Sequence, residues 1–424
     1  MQGCVRVENM QTEWFTIASG IRQGDIIAPT MFSLFVNDLA MDIKALHKGI
    51  YLDDEELSIL MFADDIVLLS ETEEGLQRML DALSEWCEKY RLFVNITKTH
   101  VMHFRQKSQT ETSTQFTYRN ANLENVSYVP YLGMEFTYNM DLSGTANNLA
   151  EAGSRALGEL IAKYYRLKGM SFDVYEHIYN TCVIPVLDYS SEVWGARHYP
   201  KTETVHNRAI KLYMGVGKTC PTPTIIGDSG WYPSHIRRKQ KMIKLWNKLV
   251  QTNDNRLLKK VFLYDWKMAN SDTDSWCKDM KLILQENNML HLYQEKAIVC
   301  ETEFENNVKT SYTEKWKQEM NAMSKLEEYA KFTTEIKAKD YLTATFLNKK
   351  QRSALAHAIS GTLPIEIETG RWRRKERHDR ICRQCNDNVI EDLTHFLTMC
   401  EKHKEHRDTL YSNIENITNI KINL

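Results

Sequence analysis

Short apolar runs alternate with polar residues over the first 140 positions of the chain. Residues 57–62 and 66–69 are two such runs, and Ala63, Asp64 and Asp65 separate them, which predicts two strands joined by a tight hairpin. Ser70 followed by Glu73 predicts a capping box, and the apolar positions that follow recur at helical spacing. Residues 92–95, 101–104 and 131–136 have the composition of further strands. The pattern indicates an α+β segment.

After about residue 145 the apolar positions recur at helical spacing. Residues 149–164 and 172–186 predict two helices, and a region rich in proline and glycine follows at 215–233. Between Trp231 and Ser360 there is no glycine, and Pro233 is the only proline, which predicts several connected helices.

Composition bounds the class of protein. The 424 residues are 42% hydrophobic and 26% charged, which is typical of a folded soluble chain. No apolar stretch is long enough to span a membrane, and the N-terminus lacks the apolar core of a signal peptide. We therefore expect an intracellular protein, nuclear or cytoplasmic, that is not secreted and has no membrane partner. The net charge of −2 requires any nucleic-acid surface to be local.

Asp64 and Asp65 are two adjacent carboxylates placed between apolar strands. They repel each other unless solvated or paired, and a divalent cation turns that repulsion into ligation. Oxygen ligands suit Mg²⁺, which polymerases use to activate a primer hydroxyl and to stabilise the leaving phosphate. Aspartate is also common in plain polar turns, so the pair alone does not decide between the two interpretations.

Two further segments could contact a nucleotide. Gly20 and Gly24 bracket Arg22 and Gln23, ahead of a predicted helix that Pro29 opens. Glycines permit close backbone approach, and arginine and glutamine bond phosphates or base edges. The segment 95–99 offers Lys98 to a phosphate.

The order of these segments resembles the palm of non-LTR (LINE-type) retrotransposon reverse transcriptases. The matching motifs, usually called B, C, D and E, are Gly-Ile-Arg-Gln-Gly at 20–24, Phe-Ala-Asp-Asp at 62–65, residues 95–99 and Tyr-Leu-Gly at 131–133. The resemblance implies that Asp64 and Asp65 bind catalytic Mg²⁺. It also implies roles near the nucleotide and template for Arg22, Gln23, Gly24 and Lys98, and a primer grip formed by Tyr131, Leu132 and Gly133.

The same resemblance implies an RNA template, a DNA primer or target, and dNTP as partners. Members of the family carry another metal-binding aspartate in motif A, several tens of residues before motif B. The nineteen residues before Gly20 contain no aspartate. We therefore expect a truncated palm that is inactive alone.

We divide the chain into a partial palm at 1–142, a thumb-like helical region at 143–230, a helical linker at 231–370, and a basic segment with a zinc knuckle at 371–424. Within the linker, Arg237, Arg238 and Lys241 lie on a predicted helix near Trp231 and Trp246. Basic residues interleaved with aromatics can hold a backbone and stack bases. A solvated helix with buried tryptophans explains the pattern equally well.

The C-terminal cluster is Cys382, Cys385, His395 and Cys400, a Cys₃His set suited to tetrahedral Zn²⁺. Because all four ligands come from protein, the ion would be structural, whereas the alternative is a group of free thiols in a reducing cell. Immediately upstream is the densest basic run of the chain, for which we expect contact with RNA or target DNA. Its arginines are Arg371, Arg373, Arg374 and Arg377.

Two rival hypotheses remain at this point. One is a non-enzymatic nucleic-acid-binding remnant that uses the thumb, the basic run and the knuckle. The other is a structural helical protein whose palm half does not fold alone.

Overall fold

The computed structural model describes residues 2–8, 10–17, 20, 24–269 and 275–418. These form two compact units, one comprising Met1–Asp141 with Asp254–Lys267 and the other Leu142–Asn253 with Met268–Leu424. Residues 254–267, which fall within the predicted linker, therefore group with the first unit. No described helix combines the length and the apolar character that crossing a membrane requires.

The first unit contains the strands, which pair into small two-stranded sheets. They are β1 Gln2–Gly3, β2 Arg6–Val7, β3 Met10–Gln11, β4 Phe15–Thr16, β5 Ile50–Leu52, β6 Glu55–Leu57, β7 Ile59–Phe62, β8 Asp65–Leu68, β9 His100–Val101, β10 Thr117–Tyr118, β11 Ala121–Asn122, β12 Glu124–Asn125, β13 Tyr128–Tyr131 and β14 Met134–Thr137. Most of the pairs are antiparallel hairpins, whereas β9 and β12 pair in parallel.

The helices of the chain, in order, follow. They are α1 Ala28–Ala45, α2 Glu73–Tyr90, α3 Ser143–Arg166, α4 Phe172–Ile178, α5 Ile184–Leu187, α6 Ser191–Trp194, α7 Pro200–Met214, α8 Thr222–Ser229, α9 Ser234–Gln251, α10 Leu257–Met268, α11 Trp276–Glu286, α12 Leu290–Gln294, α13 Glu301–Asn321, α14 Glu327–Phe332, α15 Asp340–Thr343, α16 Lys349–Ile359, α17 Glu366–Trp372 and α18 Lys404–Thr418. The predicted mixture of helices and small sheets is confirmed.

The core of the first unit lies between α1 and α2. Leu39 and Ile43 of α1 pack with Met79 and Trp86 of α2, and all four are buried. The predicted capping box at Ser70 is wrong. The N-cap is Thr72, whose hydroxyl accepts the Gly75 N–H at 3.1 Å, because the helix begins only at Glu73.

Two predicted strands of the first unit are largely absent. Residues 92–95 have no regular structure and lead into a 3₁₀ turn at Ile96–Lys98. Of the predicted strand at 101–104, only His100–Val101 forms strand, paired with β12. The apolar residues at 92 and 94 instead pack against the α1–α2 core, so burial rather than strand pairing explains their pattern.

The second unit is helical. The predicted helices at 149–164 and 172–186 are present, the second as α4, a π-helical turn Tyr179–Val183 and α5. Its core packs α3 against α7 and includes Tyr179, whose ring stacks on Trp231 with centroids 4.6 Å apart.

Candidate active site and metal centre

The hairpin β7–β8 carries the aspartate pair. Phe62 pairs with Asp65, so Ala63 and Asp64 form a two-residue turn, and Ala63 adopts a φ of +52°. Both carboxylates are exposed, and neither has a cation partner among the described residues. The hairpin predicted from the sequence is confirmed.

A second acidic turn that the sequence reasoning missed lies in the same unit. Asp53 and Asp54 form the two-residue turn of β5–β6, and Asp53 is also exposed. Here, however, Lys267 of α10 forms an ion pair with Asp53, and Lys260 does so with Glu55. The two turns look alike in sequence, but only the Asp64–Asp65 turn leaves its carboxylates free of cations.

The hairpin β13–β14 lies within the electrostatic reach of this pair. Tyr131 pairs with Met134, and the turn residues Leu132 and Gly133 have φ of +48° and +76°. Partial burial, together with the negative charge of Asp65, raises the pKa of Tyr131. The structure therefore brings the proposed primer grip and the aspartate pair into one neighbourhood.

The remaining nucleotide-binding candidates are less closely associated. Gly20 and Gly24 both adopt positive φ, +94° and +87°, and a Cβ on either would meet open space. Arg22 and Gln23 lie outside the described residues. Lys98 is exposed and, within the described part of the chain, forms no ion pair with Asp64 or Asp65.

Helix α9 corrects one expectation for nucleic-acid contact. Arg238 is fully buried, and its guanidinium donates to Thr202 Oγ1 at 3.1 Å and to Ser234 Oγ at 2.6 Å, beside the carboxylate of Glu203. A buried arginine cannot reach a phosphate, so the predicted contact by Arg238 is wrong. The sequence pattern did not reveal this, because the buried partners lie far away in the chain.

The two other basic candidates of this helix are engaged as well. Arg237 Nε donates to Asp188 Oδ2 at 2.6 Å, and Lys241 Nζ donates to the Asp188 carbonyl at 2.7 Å. Asp188 itself is fully buried. Contacts from Arg237 and Lys241 to nucleic acid stay predictions.

The Cys₃His residues come together. One ligand atom from each of Cys382, Cys385, His395 and Cys400 lies within 4.8 Å of all the others. Cys382 and Cys400 have sulfurs 4.0 Å apart, and Cys385 Sγ lies 3.4 Å from His395 Nε2. Zinc–sulfur bonds of about 2.3 Å in a tetrahedron place sulfurs about 3.8 Å apart, so these residues fit Zn²⁺.

Backbone hydrogen bonds shape this cluster. Cys382 donates its N–H to the Val389 carbonyl at 2.8 Å, which closes the loop that carries Cys385. The His395 N–H donates to Asp392 Oδ1 at 2.8 Å, which caps the turn that presents the imidazole. Burial raises the pKa of the Cys382 thiol, so its deprotonation needs the charge of an ion.

The small apolar core expected under the cluster is only partly present. Phe396 is half-buried and packs on the ring of His403, with centroids 4.7 Å apart. Val389 and Leu397 are 41% and 49% exposed, so their predicted burial is wrong. So short a segment encloses too little volume to bury more than a few side chains.

The basic run divides into held and free arginines. The buried carboxylate of Glu366 lies 3.0 Å from Arg373 Nη2 and also attracts Lys375 and Arg383, while Arg371 lies 3.9 Å from buried Glu368. Two others are exposed and, within the part of the chain that the structure describes, have no carboxylate partner. These free arginines are Arg374 and Arg377.

Comparison with known proteins agrees with the geometry. Residues 1–136 match the family described as reverse transcriptase (RNA-dependent DNA polymerase). The chain is 26% identical over 216 residues to the probable RNA-directed DNA polymerase from transposon BS of Drosophila melanogaster, which covers 49% of the chain and 23% of that relative. This segment belongs to the reverse transcriptases, and its relatives are the RNA-directed DNA polymerases of non-LTR retrotransposons.

Two further relatives support this assignment. The RNA-directed DNA polymerase from mobile element jockey of Drosophila melanogaster is 23% identical, over 58% of the chain and 26% of the relative. The Pol polyprotein from the type-1 retrotransposable element R2 of Nasonia vitripennis is 30% identical, over 31% of the chain and 14% of the relative. The chain thus spans about a quarter or less of the length of these relatives.

Proposed function

We propose that the chain is part of a non-LTR retrotransposon polymerase that transfers a dNTP to a DNA 3′ hydroxyl on an RNA template. The observation that carries this proposal is the exposed, cation-free pair Asp64 and Asp65 at a hairpin turn, beside the Tyr131 hairpin. These carboxylates would hold Mg²⁺, which would stabilise charge on the reacting phosphate. Gly24 and Lys98 would contact the nucleotide, together with Arg22 and Gln23.

The proposal includes incomplete catalysis by these 424 residues alone. Two carboxylates do not complete a two-metal site. Among the described residues, no third acidic, histidine or cysteine side chain joins Asp64 and Asp65 within ligand distance. We infer that a further oxygen ligand is needed before the site can turn over.

A cation-binding experiment tests the site separately from turnover. Mn²⁺ binding to the full chain, followed by electron paramagnetic resonance in the presence of dTTP, should fall in Asp64→Asn/Asp65→Asn. The matched control is Asp53→Asn/Asp54→Asn, which changes the other acidic turn by the same charge. Equal binding by both double variants would remove the basis for the polymerase site.

Primer extension on an RNA template then tests completeness. We expect no measurable DNA synthesis by the purified chain with Mg²⁺. Synthesis that the Asp53→Asn/Asp54→Asn variant keeps and an Asp64→Asn variant loses would show that the chain assembles a complete site by itself.

A second candidate function is nucleic-acid binding without catalysis. It is favoured by the two free arginines, Arg374 and Arg377, and by Trp372, which is 58% exposed on the adjoining α17. A Zn²⁺ held by the Cys₃His residues would give this segment a rigid base. Arginine beside an aromatic ring suits phosphate contact with base stacking.

Anisotropy of a fluorescent RNA oligonucleotide tests this second function. Arg374→Gln/Arg377→Gln should weaken RNA binding and lower the dependence of log Kd on log salt by about 1. Lys402→Gln/Lys404→Gln, two exposed lysines near the same cluster, serve as the control. Equal affinities of the two variants would exclude the basic run as a contact.

A further inference from the structure

A second basic surface lies where α3 ends and α16 begins, far in sequence from the palm and the zinc cluster. We define the α3–α16 surface by Lys163, Tyr165, Arg166, Lys168, Phe346 and Lys349. All of these residues belong to the second unit.

The cations of this surface lack acidic partners. Lys163, Arg166 and Lys168 are exposed, and no carboxylate oxygen of the described residues lies within 4.0 Å of their nitrogens. Glu159, one turn before Lys163, is an acidic residue on the same face of α3, but it forms no ion pair with Lys163 among those residues. Three unpaired cations within six positions contrast with the chain's net charge of −2, so positive charge is concentrated here.

An oriented aromatic ring stands among these cations. Tyr165 is 54% exposed, and Lys349 Nζ lies 4.2 Å from its ring centroid and donates to its hydroxyl at 3.0 Å. Behind it, the buried ring of Tyr164 meets Tyr165 edge-on, and the Tyr164 hydroxyl accepts a hydrogen bond from Arg352 at 2.6 Å. The ring of Tyr165 is therefore fixed before any ligand arrives.

A second aromatic side chain stands on the same segment of chain as Lys349. Phe346, three residues earlier, is 84% exposed. A phenylalanine this exposed costs free energy in water and gains nothing from the fold. Exposed rings next to unpaired cations are the combination on which single-stranded bases stack while the backbone is held electrostatically.

We propose that the α3–α16 surface binds single-stranded nucleic acid. The cations would hold phosphates, and Tyr165 and Phe346 would stack on unpaired bases. Bases within a duplex present no free face to an aromatic ring, so duplexes fit this surface poorly. The inference goes beyond the proposed polymerase site, because no residue of the first unit takes part.

Fluorescence anisotropy of the full chain tests the proposal without Mg²⁺ or dNTP, so the outcome is independent of the polymerase. The probes are labelled oligouridine and oligothymidine of about 12 nucleotides, a typical site size, and a duplex of the same length. The test variant is Lys163→Gln/Arg166→Gln/Lys168→Gln. The control is Lys244→Gln/Lys315→Gln/Lys317→Gln, which removes the same charge from exposed positions on α9 and α13 of the second unit.

We expect the test variant to lower the slope of log Kd against log salt by about 2 for both single strands, since three phosphate contacts are lost. Tyr165→Leu should weaken binding about tenfold with the salt slope unchanged, and Tyr165→Phe should restore it. Equal slopes for test and control variants, or equal losses for duplex and single strands, would overturn the proposal.

Discussion

Glu391 places one carboxylate oxygen 3.5 Å from the sulfur of Cys382, and both side chains are buried. Its other oxygen accepts the backbone N–H of Glu366 at 2.6 Å, at the start of α17. One carboxylate therefore links the Cys₃His cluster to the helix that leads into the basic run. The order of the basic run depends on this link.

Removing that link should loosen the start of α17. Glu391→Ala leaves the Glu366 N–H buried without an acceptor, which should cost about 1–3 kcal/mol of stability. Hydrogen exchange of amides 366–372 should accelerate, as measured by mass spectrometry. Glu405→Ala, at an exposed position of α18, is the control and should leave the exchange unchanged.

The Cys₃His cluster should bind one Zn²⁺ per chain. Cys385→Ser removes one thiolate and should release the ion, as measured by elemental analysis of protein prepared with zinc under reducing conditions. Cys300→Ser, which alters an exposed cysteine of the second unit, should retain it. Because the thiols must lose protons to bind, affinity should fall as pH falls. A zinc content near zero in the unmodified chain would show that the cysteines are free thiols.

Short-range patterns predicted the candidate sites. The turn at Asp64 and the cluster ending at Cys400 follow from spacings of a few residues, because a hairpin and a metal knuckle are local structures. The helix α3 was predicted for the same reason, since its apolar positions recur within one continuous segment.

Long-range partners could not be predicted in this way. Arg238 looked like a surface cation, but Thr202 and Glu203, more than thirty positions earlier, enclose it. Likewise, Asp53 and Asp64 have the same local sequence signal, and only the docking of α10 distinguishes them. A sequence without tertiary contacts cannot assign burial to a charged residue.

Arg238 should be a stability residue. Arg238→Met leaves the buried carboxylates of Asp188 and Glu203 without this cation, which should cost about 3–5 kcal/mol. Urea unfolding monitored by circular dichroism measures the loss. Lys248→Met, at an exposed position of the same helix, should change stability by less than about 0.5 kcal/mol. Similar values for both variants would contradict the buried role.

His206 should make the second unit sensitive to acid. Burial, and then the charge of Arg237, lower the pKa of His206 to about 3, and Tyr179 bonds its Nδ1 at 2.9 Å. The unfolded histidine titrates near pH 6.5, so it binds a proton between about pH 6.5 and 3 that the native state excludes. Stability should therefore fall as pH decreases through this range.

Urea unfolding at about pH 7 and about pH 5 measures this loss while remaining above the usual carboxylate range. His206→Gln should unfold with nearly equal midpoints at the two pH values. His198→Gln, which replaces an exposed histidine, should keep the loss of the parent chain. An unchanged pH response in His206→Gln would assign the acid sensitivity to other groups.

Gly227 should tolerate no side chain. A Cβ at this position would overlap the Tyr329 hydroxyl and lie 2.7 Å from Trp316 Cζ2. Neither ring can retreat easily, since Tyr329 donates to buried Asp228 at 2.8 Å and Trp316 Nε1 donates to the Pro223 carbonyl at 2.8 Å. Gly227→Ala should therefore cost about 1–3 kcal/mol through overpacking.

The matched substitution is Gly158→Ala in α3, where an added Cβ meets no atom within 4 Å. Alanine favours a helix interior over glycine by about 1 kcal/mol, so this variant should raise Tm while Gly227→Ala lowers it. Thermal unfolding of the two variants under identical conditions measures both shifts. A Tm for Gly227→Ala equal to that of the parent chain would mean that Tyr329 and Trp316 can move aside, and that the close packing around Asp228 does not constrain the fold.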